Sequence, residues 1–246
     1  MQNVIAVILA GGEGTRFRPY TDIVPKPMLP IGPEEKPILE YIVKWIRRFG
    51  VRDIVFLVGY RWKQIRNYFG DGSRFGVNIR YSIDNDVYSG TGGALLNAYR
   101  QGLLGREIVL VWYGDIIAPV NVVELLEMHR SRDADAVIVL SDRYRVPVGV
   151  AKVDGDRVVG FEEKPWLNVY VSVAILTLNP SILAKAGEAL GTKFDVMGDM
   201  VPWMIAQNYR VYAYVHRGPW YDVGGIEQYK KLRIEDVTEF VSEDQP

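Results

Sequence analysis

For its first 140 residues the chain alternates between two hydrophobic periods. Short β-branched runs at 4–9, 54–58, 77–81, 108–112 and 136–140 read as strands. Segments 38–49, 62–68, 93–101 and 122–131 lie between them and repeat apolar residues at helical spacing. In the first of these the stripe is Ile38, Tyr41, Ile42, Trp45, Ile46 and Phe49. Such alternation predicts an α/β fold, because parallel strands need crossover segments and the crossover helices cover both faces of the sheet. After residue 140 the rhythm changes. "VGVAKVDGDRVVGFEEKP" reads as two strands joined at Asp154-Gly155, a hairpin-turn pair. Residues 169–178 read as a strand, 180–190 as a helix with Pro180 in its first turn, 197–208 as a helix, 210–215 as a strand and 226–237 as a closing helix. The tail "SEDQP" is polar and is expected to fray. With no repeat, low-complexity stretch or linker, the expectation is one domain over 1–246. It has a mixed, mostly parallel sheet flanked by helices, with a β-rich insertion in its second half, and divides into a first half over 1–140 and a second half over 141–246 that ends in the closing helix.

Composition removes several function classes. A net charge of -1 gives no reason to expect nucleic acid or another polyanion. The absence of cysteine excludes disulfides and thiolate chemistry. No apolar run is long enough to span a bilayer. The N-terminal apolar run lacks a basic flank and leads straight into glycines, so it reads as a strand and not a signal peptide, and the cytoplasm is the expected compartment.

The first strand runs into "LAGGEGTRFRPYTDIVPKPMLPIG" at 9–32. Gly11, Gly12 and Gly14 follow a strand that should be central, and ligands of parallel sheets bind beyond the carboxyl ends of the strands. Glycines there let backbone N–H groups approach an anion closely. The dinucleotide fingerprint is excluded by Phe17 where its third glycine belongs, and the Walker loop by Gly14-Thr15-Arg16. Arg16 sits two residues past the last glycine, and Lys26 is stiffened between Pro25 and Pro27. Fixed cations beside a glycine turn suit a triphosphate. The plainer alternative is a turn with solvated charges.

The same stretch resembles the signature of the sugar-1-phosphate nucleotidyltransferases. The resemblance continues through "GTGGAL" at 90–95, "YGD" at 113–115, "EEKP" at 162–165 and "WYDVGG" at 220–225, and spans residues 4 to about 232. It implies a Rossmann-like fold of the nucleotide-diphospho-sugar transferase type. It implies a Mg²⁺-dependent enzyme that joins a nucleoside triphosphate to a sugar 1-phosphate and releases pyrophosphate. By this resemblance Arg16, Lys26, Asp115, Lys164 and Asp222 carry the chemistry, with Asp115 and Asp222 on the metal. Leu9, Ala10, Gly11, Gly12, Gly14, Thr15, Arg16, Asp84, Gly90, Thr91 and Gly92 fall on the nucleotide side. Gly149, Glu163, Lys164, Ser172 and Arg217 fall on the sugar-phosphate side. Each has a plainer reading: a lone aspartate before a turn caps it, Glu-Glu-Lys is an exposed strand end, and "GTGGA" starts a helix with Thr91 as N-cap.

The chain departs from the family pattern in three places. "VYSGTGGAL" lacks the usual proline and has one added residue. Ser172 and Ala174 stand where an asparagine and a glycine usually touch the sugar. No segment remains for a C-terminal left-handed β-helix. Segment 70–84 most resembles guanylyl-transferring members, which carry an acid at the position of Asp84. A carboxylate can accept the paired N1–H and N2–H of guanine, which favours GTP and mannose 1-phosphate or a similar sugar. Asp86 is a second candidate. Uridylyl or thymidylyl transfer to glucose 1-phosphate is the alternative. A silent nucleotide-sugar sensor or assembly subunit could have dispensed with Arg16, Lys26, Asp115 and Asp222, all of which are present. A glycosyltransferase would use an Asp-x-Asp motif, which "DND" at 84–86 matches formally. Six tryptophans and fifteen tyrosines leave aromatics for a homo-oligomer interface.

Overall fold

The computed structural model describes residues 3–32 and 34–232. Its centre is a seven-stranded sheet: β1 (Val4–Ala10), β2 (Asp53–Val58), β3 (Asn78–Ile83), β4 (Ile108–Tyr113), β5 (Ala136–Ser141), β6 (Val171–Leu178) and β7 (Val211–Val215). The spatial order is β3-β2-β1-β4-β6-β5-β7. All neighbours pair in parallel except β6, which runs antiparallel to both β4 and β5. The alternation in the sequence therefore delivers the expected mixed, mostly parallel sheet.

Successive residues of a strand point to opposite faces, and both faces here are covered. Ala6 and Ile8 face one core with helices α1 (Ile38–Arg48), α2 (Trp62–Phe69) and α4 (Val122–Ser131). Ile5 and Val7 face a second core with α3 (Gly90–Arg100), α5 (Ser181–Leu190) and α6 (Val201–Ala206). The α1 stripe is buried as its spacing predicts, and Trp45 Nε1 donates to Val120 O at 2.9 Å. Burying an aromatic body needs a partner for its polar tip, and that carbonyl supplies it.

The segment read as a helix over 197–208 is a π-helical turn, Val196–Met200, followed by α6. The closing helix α7 is Ile226–Lys231, and the remainder of 226–237 and the polar tail lie outside the described residues. The insertion is built from two short antiparallel pairs, Val150–Asp154 with Arg157–Glu162 and Tyr144–Arg145 with Trp166–Leu167. Its hairpin turns at Gly155, whose φ of 56° is the left-handed conformation that the Asp-Gly pair signals. Among the described residues no helix is long and apolar enough to cross a membrane.

Candidate active site

The carboxyl ends of β1 and β4 open onto a cleft of about 430 Å³. Leu9, Ala10, Gly11, Gly12 and Gly14 form one wall, Lys26 and Asp115 one end, and Asp84, Gly90 and Thr91 also line it. The glycines have separate physical reasons. A Cβ at Gly11 would overlap the Asp84 carboxylate, so that position must be bare for Asp84 to lie where it does. Gly14 has φ 63°, and Thr21 Oγ1 donates to its carbonyl at 2.9 Å. At Gly12 a Cβ would meet nothing within 4 Å, leaving open backbone toward the cleft.

Lys26 and Asp115 form an ion pair with little exposure, 14% and 21% of their side-chain areas. Asp222 arrives from far along the chain through a two-residue strand: Tyr221–Asp222 pairs antiparallel with Ile116–Ile117, and Val223 N–H donates to Asp115 O at 2.9 Å. Gly224 lies close to both Arg16 and Asp222: a Cβ there would lie 3.3 Å from both terminal Arg16 nitrogens and 3.0 Å from Asp222 Oδ1. Burial and then the Asp115 carboxylate push the Asp222 carboxyl up, while Lys26 and Arg16 pull it down. Asp222 thus feels the charge of Asp115, Lys26 and Arg16, but only Lys26 and Asp115 line the cleft; Arg16 and Asp222 do not.

Thr91 is not the N-cap of α3. That position is Ser89, and Thr91 lies in the first turn as a hub. Its N–H and Oγ1 donate to Asp195 Oδ1 at 3.0 and 3.1 Å, and its Oγ1 accepts from Val196 N–H at 2.8 Å and from the Tyr113 hydroxyl at 3.2 Å. Gly92 does not line the cleft. A Cβ on it would overlap the Phe194 ring, and the Gly92 and Gly93 N–H groups donate to Phe194 O at 2.9 and 3.1 Å. The bareness of "GTGG" is therefore accounted for in part by close approach of Phe194. Burial raises the Asp84 carboxyl above its ordinary range. Asp86 is absent from the cleft wall, and Asn85 Oδ1 accepts from the N–H groups of Val87 and Tyr88, so "DND" is a turn.

The residues expected on the sugar-phosphate side lie outside this cleft, and only Gly149, Glu163 and Lys164 of them are neighbours. Glu163 and Lys164 are exposed, with Lys164 Nζ 3.5 Å from Glu163 Oε1. A Cβ at Gly149 would overlap Phe161 and come within 2.9 Å of Glu163 Oε2. Ser172 Oγ accepts from Ala174 N–H at 3.1 Å. Arg217 pairs with Asp142 at 3.4 Å, and these two with Arg143 and Asn168 line a second cavity of about 480 Å³. None of these residues lines the first cleft, and neither does Thr15. Sequence reasoning missed Tyr88, Tyr113 and Asp195 on the cleft wall. Tyr113 had a signal, its place before "GD" at a strand end. Asp195 had none, since its partner Thr91 is 104 residues away.

Residues 5–238 match the Nucleotidyl transferase family. The chain belongs to that family. A UTP–glucose-1-phosphate uridylyltransferase from Synechocystis sp. is 29% identical to this chain over 91% of it. The chain spans only 61% of that relative's length. A D-glycero-alpha-D-manno-heptose 1-phosphate guanylyltransferase from Aneurinibacillus thermoaerophilus is 30% identical, with 94% of this chain and 97% of that protein covered. HddC from Yersinia pseudotuberculosis, also solved complexed with GMP-PN, superimposes with a TM-score of 0.71 at 24% identity over 92% of this chain and 96% of its own. That superposition shows that the two chains share a fold. The relatives' names disagree on both base and sugar.

Proposed function

We propose that the protein joins a nucleoside triphosphate to a sugar 1-phosphate, giving a nucleotide-sugar and pyrophosphate. The observation that carries this reading is a glycine-lined cleft that also holds the Lys26–Asp115 ion pair, with Asp222 under the charge of that pair and of Arg16. An oxygen of the sugar phosphate attacks the α-phosphorus, and the bond from that phosphorus to the oxygen bridging the α- and β-phosphates breaks, that oxygen leaving with the pyrophosphate. No protein nucleophile is needed, so catalysis consists of holding two anions together and stabilising charge on the leaving group. Arg16 holds the β- and γ-phosphates and Lys26 the α-phosphate, while the bare backbone at Gly12 lets the chain lie close to the anion. On the other substrate, Lys164 and Arg217 grip the sugar phosphate, and Glu163, Ser172 and the backbone at Gly149 meet the sugar. In this reading 1–140 is the nucleotide half of a single domain and 141–246 the sugar-phosphate half, although Asp195 crosses into the nucleotide cleft.

Asp115 and Asp222 fit a Mg²⁺ ion. They are neighbouring carboxylates, and among the described residues no group of three or more histidines, aspartates and glutamates is placed to hold a metal. Magnesium takes one or two protein carboxylates and fills its remaining positions with water and phosphate oxygens. When bound it would supply charge neutralisation at the departing phosphates.

For the base the reading is guanine, supported by Asp84 on the cleft wall, and for the acceptor mannose 1-phosphate or a similar sugar. The test is a matrix of GTP, UTP, dTTP, ATP and CTP against common hexose 1-phosphates, scored by pyrophosphate release and repeated with Asp84→Asn. No release from any pair refutes the reaction. A preference for a pyrimidine triphosphate refutes guanine and leaves the reaction standing.

A further inference from the structure

The loop bearing Arg16 and Lys26 is shaped by three single turns, Thr15–Phe17, Tyr20–Asp22 and Lys26–Met28. Its outer bend has no apolar anchor at Tyr20 or Ile23, which are both exposed. The bend is held instead by polar bonds from outside. Three consecutive carbonyls each accept from one side chain at the start of α2. The Tyr60 hydroxyl donates to Thr21 O at 3.0 Å, Arg61 Nη2 to Asp22 O, and Gln64 Nε2 to Ile23 O at 2.8 Å. Tyr60 N–H also donates to Gly11 O at 2.9 Å. One short segment therefore seats both the start and the far bend of the loop. Thr21 Oγ1 passes the constraint inward to the carbonyl of Gly14.

Arg61 is the informative member. Its φ is 51°, a left-handed conformation that glycine adopts freely and arginine does not. Its guanidinium lies 5.5 Å from the centre of the Tyr60 ring, and its Nε donates to the Tyr60 hydroxyl at 3.1 Å. A strained backbone persists only where the surrounding structure over-determines it, and here the bonds of the Arg61 side chain do so. We infer that Tyr60, Arg61 and Gln64 form a polar strap that sets the pose of the phosphate-binding loop, acting as positioning residues for the triphosphate. This rests on the reading above that the loop holds a nucleoside triphosphate.

Stability and function then respond differently to Arg61→Gly, which relieves the left-handed strain and removes the strap. The variant is tested in the full chain with Mg²⁺. Titration calorimetry with GTP, UTP and dTTP in the absence of sugar phosphate gives Kd, and thermal melting and the KM of each substrate complete the set. The expected result is a triphosphate Kd and KM raised about fivefold, a sugar-phosphate KM changed by less than about twofold, and a melting temperature unchanged or higher. Gln64→Ala, which leaves the backbone of the left-handed position alone, should give the same split if Arg61→Gly fails to fold. Unchanged triphosphate affinity overturns the strap. So does a fall in melting temperature with equal losses for both substrates, the mark of an ordinary structural role. If the unmodified protein binds none of the three triphosphates, the loop's assignment fails and not the strap alone.

Discussion

Ala174→Gly should stabilise this protein. Residue 174 lies in β6 where the pairing with β5 shifts register between Ser172 and Leu176, and its φ is 56°. An L-residue held in that conformation costs roughly 1–2 kcal/mol. Glycine removes the cost but gives the unfolded chain more freedom, which returns roughly 0.5–1 kcal/mol. Ala174 is half-buried against the core, so losing its methyl takes back a few tenths more. The net gain is about 0.5 kcal/mol, or roughly 1–2 °C in Tm for a chain of this size. Thermal unfolding followed by circular dichroism measures it, with Ala174→Val as the opposing control. Valine is branched at Cβ and tolerates this backbone least, so the order of Tm should be glycine, alanine, valine. A valine variant as stable as the parent would refute the reasoning, because residue 174 could not then be held in a costly conformation.

Asp115→Asn and Asp222→Asn should each lower turnover by on the order of a hundredfold while the far-ultraviolet spectrum is kept, and near-normal rates at saturating Mg²⁺ would remove the residue from the site. Arg16→Ala should raise the KM for the nucleoside triphosphate and Lys164→Ala that for the sugar 1-phosphate, each by about tenfold or more, and identical defects would erase the distinction between their roles. His129 is buried with Nδ1 2.9 Å from Thr177 Oγ1, and burial, aided by Arg130, holds its imidazole below the ordinary value near 6.5. The unfolded chain therefore takes up this proton first, so stability is full above that ordinary value and falls as the pH drops through it toward the folded value. Urea midpoints between about pH 8 and 5 should show the fall, and His129→Gln should flatten it.

The layered fold was legible because β-branched runs and amphipathic stripes are local, and each of the five strands that the first 140 residues give the central sheet starts within a few positions of its expected place. The glycine turn beside the cleft was legible for the same reason: its glycines and Lys26 sit within a short span that ends at Lys26. What could not be read depends on pairing at a distance. Asp222 comes beside Asp115 only through the two-residue strands at 116–117 and 221–222, too short to leave a periodic signal. Asp195 joins the cleft because Thr91 gathers it. The glycines at 90–93 suggested an approaching ligand, and at Gly92 and Gly93 the approaching group is the chain itself. Lys164 and Glu163 have an evident motif, but their place relative to the first cleft depends on an insertion whose strands are mostly exposed.

The single reversed strand has a consequence for how such a protein can change. Because β6 runs against its neighbours, it starts at the edge of the sheet where β5 ends, and Ser141 and Val171 are direct register partners. Residues 142–170 therefore leave and re-enter the sheet at adjacent points. A loop whose ends already touch has no gap to span, and changes in its length cost little, since closure entropy grows only with the logarithm of length. The segment is an exchangeable cassette, free to be lengthened, shortened or replaced while Ser141 and Val171 stay paired. A scaffold of this kind can be recast in one segment with the seven-stranded floor and the glycine loop after β1 inherited unchanged.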